Sequence, residues 1–295
     1  MDFRDKVFLK VAENLSFSKA ADELFISQPA VTNHIKALEG ALEITLFERK
    51  GNKIYLTQAG EIVYNHLKKI RQAYQELEFD LGKINDTYKG KLRIGASSTI
   101  SQYLIPKVIA DFYKRYPKIE IYLLNGNSFQ MEKKLLDNEI DMALVENNIS
   151  QQNIKYASFL EDEIIAVTCS GSVYAKRKSI RAADLKQIPV VLREKGSGTL
   201  QVIKETLKNN KINMDELNVV MHLGSTEAIK NFLCNFDGMA LVSEKAVERE
   251  LSYKSLVKIT IQKVSLYREF RIAVRQGQQT STSKIFIDFL NHYNF

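Results

Sequence analysis

Between residues 63 and 88, apolar side chains recur in steps that alternate between four and three residues. This heptad spacing predicts a helix that carries one continuous apolar seam. The seam consists of Val63, Leu67, Ile70, Tyr74, Leu77, Leu81, Ile84 and Tyr88. With Thr57 as its N-cap and Gly90 as its terminator, the helix would cover residues 59–89 and extend about 46 Å.

The length of this helix constrains how the chain can pack. A domain of about 60 residues cannot bury a helix of that length from end to end. We therefore expect the seam to pack against the same helix of a second subunit, which makes the protein a homodimer. The alternative is that the helix packs on the C-terminal part of its own chain.

The residues before the seam predict two short helices joined by a tight turn. Ser18 is the predicted N-cap of the first, which runs to Leu24, and the turn is at residues 25–26. Ser27 is the predicted N-cap of the second, where an early Pro29 costs no hydrogen bond. Apolar spacing predicts a further helix at residues 3–14, beneath this pair.

The second of these helices has two unlike faces. Val31, Ile35 and Leu38 share a stripe that should be buried. The opposite surface, here called the reading face, holds Ser27, Gln28, Pro29, Thr32, Asn33 and Lys36. It has no acidic residue, and its side chains can bond base edges in the major groove. The alternative interpretation is an ordinary solvated helix face.

A basic hairpin is predicted next, with Gly51-Asn52 at its tip and short strands on either side. Arg49, Lys50 and Lys53 would place this wing along phosphates or the minor groove. Bulk charge does not support DNA binding, because residues 1–90 hold 13 Lys+Arg and 13 Asp+Glu. The net charge of +7 comes from residues 91–295. The argument for DNA therefore rests on where the charges are placed.

Four motifs in this region resemble the LysR-type transcriptional regulators. They are S-F-S-x-A-A-x-x-L at 16–24, I-S-Q-P-A-V-x-x-x-I-x-x-L-E at 26–39, L-F-x-R at 46–49 and L-T-x-A-G at 56–60. The length and domain order resemble that family over essentially the whole chain. The resemblance implies a cytoplasmic regulator that binds double-stranded operator DNA and a small-molecule effector. It also implies a homodimer or homotetramer and leaves contact with RNA polymerase open.

After Gly90 the pattern becomes short apolar runs alternating with amphipathic helices, which predicts an α/β fold with mainly parallel strands. The runs are at 92–94, 119–124, 142–145, 164–169, 190–192, 219–223, 239–242 and 270–274. The resemblance implies a periplasmic-binding-protein-like effector domain of two α/β subdomains, 91–161 with 266–295 and 162–265. The predicted domains are a winged helix-turn-helix at 1–58, a linker and dimerisation helix at 59–89, and the effector domain at 90–295.

Ligands of α/β sheets bind beyond the carboxyl ends of strands, at helix N-termini. Together with the resemblance, this predicts effector contacts at Ser97, Ser98, Thr99, Glu146, Gly196, Ser197, Thr199 and Thr226. Hydroxyl residues and glycines suit an anion, whereas the carboxylate of Glu146 would repel one or favour an amine or hydroxyl. Arg193 and Lys195 either contact the ligand or are solvated. The alternative role for the hydroxyl residues is helix capping.

The sequence contains little that indicates a catalytic site, a metal site or a membrane span. The four histidines have no metal-ligand spacing, and there is no nucleophile elbow. No apolar run approaches 18 residues, and there is no N-terminal export signal. Cys169 and Cys234 are expected to be small buried side chains, with a redox pair as the alternative. The competing hypothesis for the whole chain is a cytoplasmic solute-binding or enzymatic α/β protein with an incidental helical head.

Overall fold

The structure is a computed structural model that describes residues 1–51, 53–84, 88–146, 150–277 and 279–295. Within the long helix it does not describe the side chains of residues 72, 75, 76, 78–80 and 82–84. The chain forms two compact units, Met1–Thr87 and Tyr88–Phe295.

The first unit is a small helical domain with a hairpin. Its elements are α1 (Phe3–Asn14), α2 (Phe17–Leu24), α3 (Gln28–Leu42), β1 (Phe47–Lys50), β2 (Lys53–Leu56) and α4 (Gln58–Ile84). The predicted stripe of α3 is buried, as are Phe8 and Val11 of α1. Strands β1 and β2 pair antiparallel with Lys50 opposite Lys53, and Gly51 has a positive φ of 63°. Asn52 at the predicted tip lies outside the described residues.

Helix caps in this unit partly match the sequence-based expectations. Ser27 caps α3 by accepting the backbone N–H of Ala30, and the hydroxyl oxygen of Thr57 accepts the backbone N–H of Gly60. The prediction of Ser18 as the cap of α2 is wrong. The cap is Ser16, whose side chain accepts the N–H of Lys19, so that α2 begins at Phe17. Both serines are chemically suitable, and the burial of Phe17 against the core favours the earlier start.

Helix α4 is described over 27 residues, to Ile84, and the predicted end at Lys89 is wrong because Tyr88 and Lys89 are not helical. Tyr88 is therefore not a helical seam residue. It belongs to the second unit, where its ring packs edge-on against Tyr116 with centroids 5.2 Å apart. The side chain of Ile84, another predicted seam residue, lies outside the described part of the chain.

The second unit is an α/β domain. Its strands are β3 (Gly90–Ser97), β4 (Ile119–Gly126), β5 (Met142–Val145), β6 (Ile154–Cys169), β7 (Ser179–Arg181), β8 (Val190–Arg193), β9 (Val219–Leu223), β10 (Met239–Ser243), β11 (Leu256–Gln262) and β12 (Leu266–Arg275). Its helices are α5 (Ile105–Arg115), α6 (Ser128–Leu136), α7 (Gly198–Asn209), α8 (Thr226–Leu233), α9 (Glu248–Ser252) and α10 (Ser281–Asn291). A π-helical turn, Ile100–Leu104, leads into α5.

Two long strands connect the halves of this unit. The strand order is β4-β3-β5-β12-β6-β10-β8-β9, and β6 pairs antiparallel with β12 from Ile164↔Leu266 to Ile154↔Arg275. We call β3–β5 with α5, α6 and α10 the first lobe, and β7–β11 with α7–α9 the second lobe. The predicted crossings near 161 and 265 fall on this strand pair.

Strands β8 and β10 of the second lobe are buried on both faces, whereas residues 220–222 of β9 are exposed. Alternate residues of β6, such as Ile164 and Ile165, enter two different hydrophobic clusters. Strands β8 and β10 are parallel to each other, and parallel strands covered on both faces read as continuous apolar runs, which is why these two runs were visible in the sequence. The sequence did not predict β7 and β11, and it predicted β6 to begin ten residues late. In β6, acidic residues at 161–163 interrupt the apolar pattern.

The cysteine expectation is wrong in part, because Cys234 is exposed and Cys169 is half-buried. Both thiols are free. Across the described helices, none combines the length and the apolar character that a bilayer crossing requires.

Gly60, in the first turn of α4, allows a close approach of two backbone segments. A Cβ at this position would overlap the carbonyl oxygen of Leu46. We expect Gly60→Ala to lower the melting temperature of the first unit in the full-length protein, measured by circular dichroism. The matched control is Gly40→Ala in α3, where nothing lies within 4 Å. Because alanine is the better helix former, the control should raise the free energy of unfolding by up to about 1 kcal/mol. Equal effects of both substitutions would contradict the close approach.

Candidate functional site

The reading face is presented to solvent as the sequence predicts. Ser27, Gln28, Pro29, Asn33 and Lys36 are exposed, and Thr32 is half-buried. The Gln28 side-chain amide donates to Thr32 Oγ1 at 3.0 Å, and that hydroxyl donates to the carbonyl oxygen of Gln28 at 3.2 Å. This mutual pairing fixes both side chains on the outer surface of α3.

The wing places like charges side by side. Arg49, Lys50 and Lys53 are exposed, and Lys50 lies directly opposite Lys53 in the hairpin register. Like charges in that position oppose strand pairing. Lys50 Nζ forms an ion pair with Glu48 Oε1 at 2.8 Å, which relieves part of the repulsion. An anion lying along the hairpin tip would relieve the remainder.

In the second unit, the predicted effector contacts meet between the two lobes. Ser97 ends β3, and Ser98 and Thr99 open the helix that follows it. All three are buried, yet the hydroxyl oxygens of Ser97 and Thr99 have no hydrogen-bond partner. Buried polar groups are normally paired, so an unpaired set marks a place where a ligand or water is to be bound.

The second lobe contributes the facing loop, between β8 and α7. Gly196 adopts φ of 92°, which suits glycine, and its carbonyl oxygen accepts the backbone N–H of Phe129 from the first lobe at 3.4 Å. Ser197 is buried, and its hydroxyl oxygen is unpartnered. Thr226, at the start of α8, is also buried. Of the two open alternatives in this loop, Arg193 is 1% exposed whereas Lys195 is exposed.

A buried ionic network lies where the two lobes meet, in the region that we call the cleft. Arg268 of β12 pairs with Glu146 Oε2 at 3.0 Å and with Asp162 Oδ2 at 2.7 Å. Its guanidinium also donates to Thr199 Oγ1 at 2.8 Å, and that hydroxyl donates to Glu146 Oε1 at 3.1 Å. Ser243 donates to Asp162 Oδ1 at 2.7 Å. The network therefore joins the first lobe, the second lobe and both crossing strands.

This network changes the expectation for two residues. The carboxylate of Glu146 is held in an ion pair with Arg268, and that one guanidinium also pairs with Asp162, so one positive charge is shared by two carboxylates. The hydroxyl of Thr199 accepts a hydrogen bond from Arg268 and donates its proton to Glu146, so it has no proton left to donate to a ligand. Burial raises the pKa of Asp162, and the neighbouring Arg268 and the Ser243 hydroxyl act in the opposite direction.

Further contacts hold the lobes together around the cleft. Arg193 Nη2 of the second lobe donates to Ser98 Oγ of the first at 2.7 Å. Tyr103, in the π-helical turn, donates its hydroxyl to Glu227 Oε1 of α8 at 2.6 Å. Its ring also lies over Lys230 Nζ, 4.9 Å from the centroid. Burial and the bond to Glu227 raise the pKa of the Tyr103 hydroxyl, so it remains a donor.

Family comparisons match both units. Residues 6–61 match the model described as bacterial regulatory helix-turn-helix protein, lysR family, and residues 85–294 match the LysR substrate binding domain. The probable RuBisCO transcriptional regulator of Thalassiosira pseudonana is 34% identical over 291 residues, which cover 97% of this chain and 94% of the relative. The chain belongs to the LysR family of transcriptional regulators. It is a regulator with an effector-binding domain and not an enzyme.

Solved LysR-family structures share the fold. The regulatory domain of Synechocystis PCC6803 CcmR, in complex with 2-PG, has a TM-score of 0.62 at 25% identity and covers 69% of this chain and 96% of that one. Full-length CbnR complexed with its target DNA has a TM-score of 0.66 at 18% identity, covering 98% and 99%. In the described part of this LysR-family chain, no cluster of acidic, histidine or cysteine side chains could hold a metal ion.

Sequence reasoning missed Arg268 and Asp162 in this LysR-family chain. The signal for Arg268 was present, because it shares the strand face of Leu266, Phe270 and Ile272, where an apolar residue is expected. A charged residue on such a face is buried and must be paired. Its partner Asp162 is 106 residues away in the chain, so the pair itself could not be found without the fold.

Removing the guanidinium of Arg268 should leave two buried carboxylates, those of Glu146 and Asp162, without their ion-pair partner. We expect Arg268→Met to lower the free energy of unfolding by about 3–5 kcal/mol. Asp162 binds a proton more readily in the folded than in the unfolded state, so its contribution to stability is lost as the pH rises through its folded pKa. Because Arg268 lowers that pKa, the cost of the variant should be larger at about pH 8 than at about pH 5.

The matched control is an exposed ion pair of the same unit. Arg181 is 75% exposed in its side chain and lies 2.9 Å from Asp184. Arg181→Met should cost less than about 1 kcal/mol. Urea unfolding followed by circular dichroism measures both variants at each pH. Similar losses for the two arginines would contradict the network in the cleft.

Proposed function

We propose that this regulator recognises operator DNA with the reading face and the wing of a homodimer, and that a small anion held between the lobes modulates it. Residues 1–58 are assigned to DNA binding, 59–89 to dimerisation and 90–295 to the effector. The effector domain has two subdomains, one formed by residues 91–161 and 266–295 and the other by residues 162–265. Assembly into a homotetramer and contact with RNA polymerase belong to the same proposal.

The observation that carries DNA recognition is the acid-free outer face of α3. Its polar side chains are exposed while Val31, Ile35 and Leu38 fix the helix in the core. Such a helix can enter the major groove without carrying carboxylates toward the phosphates. CbnR, which has the same fold, was crystallised with its target DNA, and this supports the proposal.

Base-reading and phosphate-binding residues should respond differently to substitution. Gln28→Ala and Asn33→Ala should each weaken the preference for operator over random DNA by about 1–3 kcal/mol, because a bidentate base contact is lost. Lys53→Ala should weaken binding to both DNAs alike and reduce the salt dependence. Fluorescence anisotropy with DNA from the regulator's own promoter, at several salt concentrations, measures both quantities. Equal losses on both DNAs for all three variants would reject the assigned face.

Dimerisation is supported by apolar side chains of α4 that are exposed to solvent in the single chain. Leu67 of the predicted seam is buried in the first unit. Farther along α4 the seam residues are exposed, namely Ile70 at 43%, Tyr74 at 47%, Leu77 at 53% and Leu81 at 54%. A helix of 27 residues is about 40 Å long, and a second copy packed along it would cover this stripe.

Placing a charge in the seam should therefore separate the subunits. We expect Leu77→Lys to shift sedimentation of the full-length protein from dimer toward monomer, because apolar burial is lost and two lysines would face each other. Val173→Lys is the control, since Val173 is 67% exposed and lies outside α4. A dimer that persists unchanged in the Leu77 variant would contradict the assigned seam.

The effector proposal is supported by the unpartnered atoms between the lobes. They are the hydroxyl oxygens of Ser97, Thr99 and Ser197 and Nη1 of Arg193. Glu146 Oε2 and Arg268 Nη2 also lack a hydrogen bond, but both belong to the ion pairs of the network. Three hydroxyls and a guanidinium N–H are suited to the oxygens of a small anion. A ligand that touches both lobes favours the closed arrangement by its differential affinity. Glu146, Thr199 and Thr226 then shape the site, and the 2-PG complex of CcmR is consistent with an anion.

A further inference from the structure

Arg193 is held in an unusual pairing with its own neighbour in sequence. Its Nε donates to Glu194 Oε2 at 2.8 Å, and its Nη2 approaches Glu194 Oε1 at 3.1 Å. This is the two-bond fork that a guanidinium forms with a carboxylate or a phosphate. The structure thus contains an oxyanion on Arg193 already, supplied by the chain itself.

The two partners differ in their freedom to move. The side chain of Arg193 is 1% exposed, whereas that of Glu194 is 26% exposed. Arg193 is fixed further by Ser98 Oγ at 2.7 Å and by the carbonyl oxygen of Gly224 at 3.4 Å. Glu194 has one more weak contact, from Asn127 Nδ2 at 3.5 Å. The carboxylate can therefore turn toward solvent while the guanidinium stays in place.

The charges of the cleft assign a role to this pair. Arg268 is compensated by Glu146 and Asp162, both buried with it. Arg193 is the other arginine buried in the cleft, and its compensating carboxylate is the half-buried Glu194. Its Nη1 is buried without a hydrogen-bond partner. Among the residues that the structure describes in the cleft, Arg193 is therefore the arginine whose guanidinium an incoming anion can engage by displacing Glu194.

We propose that Arg193 receives the oxyanion of the effector and that Glu194 is an internal carboxylate which the effector displaces. The inference rests on the proposed function of this cleft as an anion site. It restricts the effector to molecules with a carboxylate, phosphate or sulfate group that accepts two parallel N–H bonds. Because Glu194 competes for the same donors, it lowers the affinity for any anion and selects those that hold the fork better than a carboxylate on a flexible side chain.

The test uses full-length protein and calorimetric titration with inorganic phosphate, acetate and 2-PG at constant ionic strength. Glu194→Gln keeps the size of the side chain but removes its charge, so it should tighten the binding of each bound anion about fivefold. Arg193→Lys keeps the charge but loses the fork, so it should weaken binding about tenfold or more. The matched control is Glu248→Gln, an exposed carboxylate in α9 of the same lobe, which should leave the affinity unchanged.

The melting temperature of each variant without anion separates a structural role from a competing one. If Glu194 only shapes the loop, Glu194→Gln would lower the melting temperature and leave the affinity unchanged or weaker, which would overturn the displacement. If Glu248→Gln tightened binding as much as Glu194→Gln, general charge would explain the effect and the assignment would also be overturned.

Failure of the effector proposal gives a different result. If neither the natural protein nor Glu194→Gln binds any of the three anions, the cleft is not an anion site and both proposals are rejected. If the natural protein binds an anion that Ser97→Ala weakens, while Arg193→Lys has no effect, the cleft remains an anion site and only the role of Arg193 and Glu194 is overturned.

Discussion

The buried guanidinium of Arg268 connects the parts of the effector-binding domain. It extends from β12 and reaches Glu146 in the first lobe, Thr199 in the second and Asp162 on the other crossing strand. An uncompensated charge in this position would be strongly destabilising, so each partner must be in place when the lobes are closed. One side chain thereby makes the arrangement of four chain segments mutually dependent. Opening the cleft has to break or rearrange these contacts.

This arrangement also sorts the polar groups of the cleft into two kinds. Glu146, Asp162 and Thr199 bond to Arg268 and stabilise the contact between the lobes. The unpartnered hydroxyls of Ser97, Thr99 and Ser197 and Nη1 of Arg193 have no such partner. A ligand placed among the second kind would add contacts without disturbing the first. The cleft can therefore keep its closed geometry and still respond to the chemistry of what enters it.

The sequence alone predicts the features that depend on local periodicity. The stripe of α3, its cap at Ser27 and the buried parallel strands follow from spacing and capping rules. Features that depend on distant partners were not predictable in that way. The pairing of Arg268 with Asp162 spans 106 residues, and the burial of Arg193 depends on Ser98, 95 residues earlier. The choice of Ser16 over Ser18 is tertiary too, because Phe17 packs on the core.

The first 90 residues carry no net charge, but several of their acidic side chains are placed where they do not oppose DNA binding. Glu13 pairs with Arg71 at 2.8 Å and Glu23 with Lys10 at 2.7 Å, both away from the reading face. Glu39 accepts the backbone N–H of Leu46 at 2.7 Å and so anchors the start of the wing. Lys36, Arg49 and Lys53 have no carboxylate partner among the residues that the structure describes.

Several carboxylates therefore form internal contacts, while Lys36 on the reading face and Arg49 and Lys53 on the wing have no carboxylate partner among the described residues. Counterion release depends on those cations, which can contact phosphates, and not on the net charge of the domain. A neutral domain of this kind can bind DNA through one surface and present little attraction elsewhere.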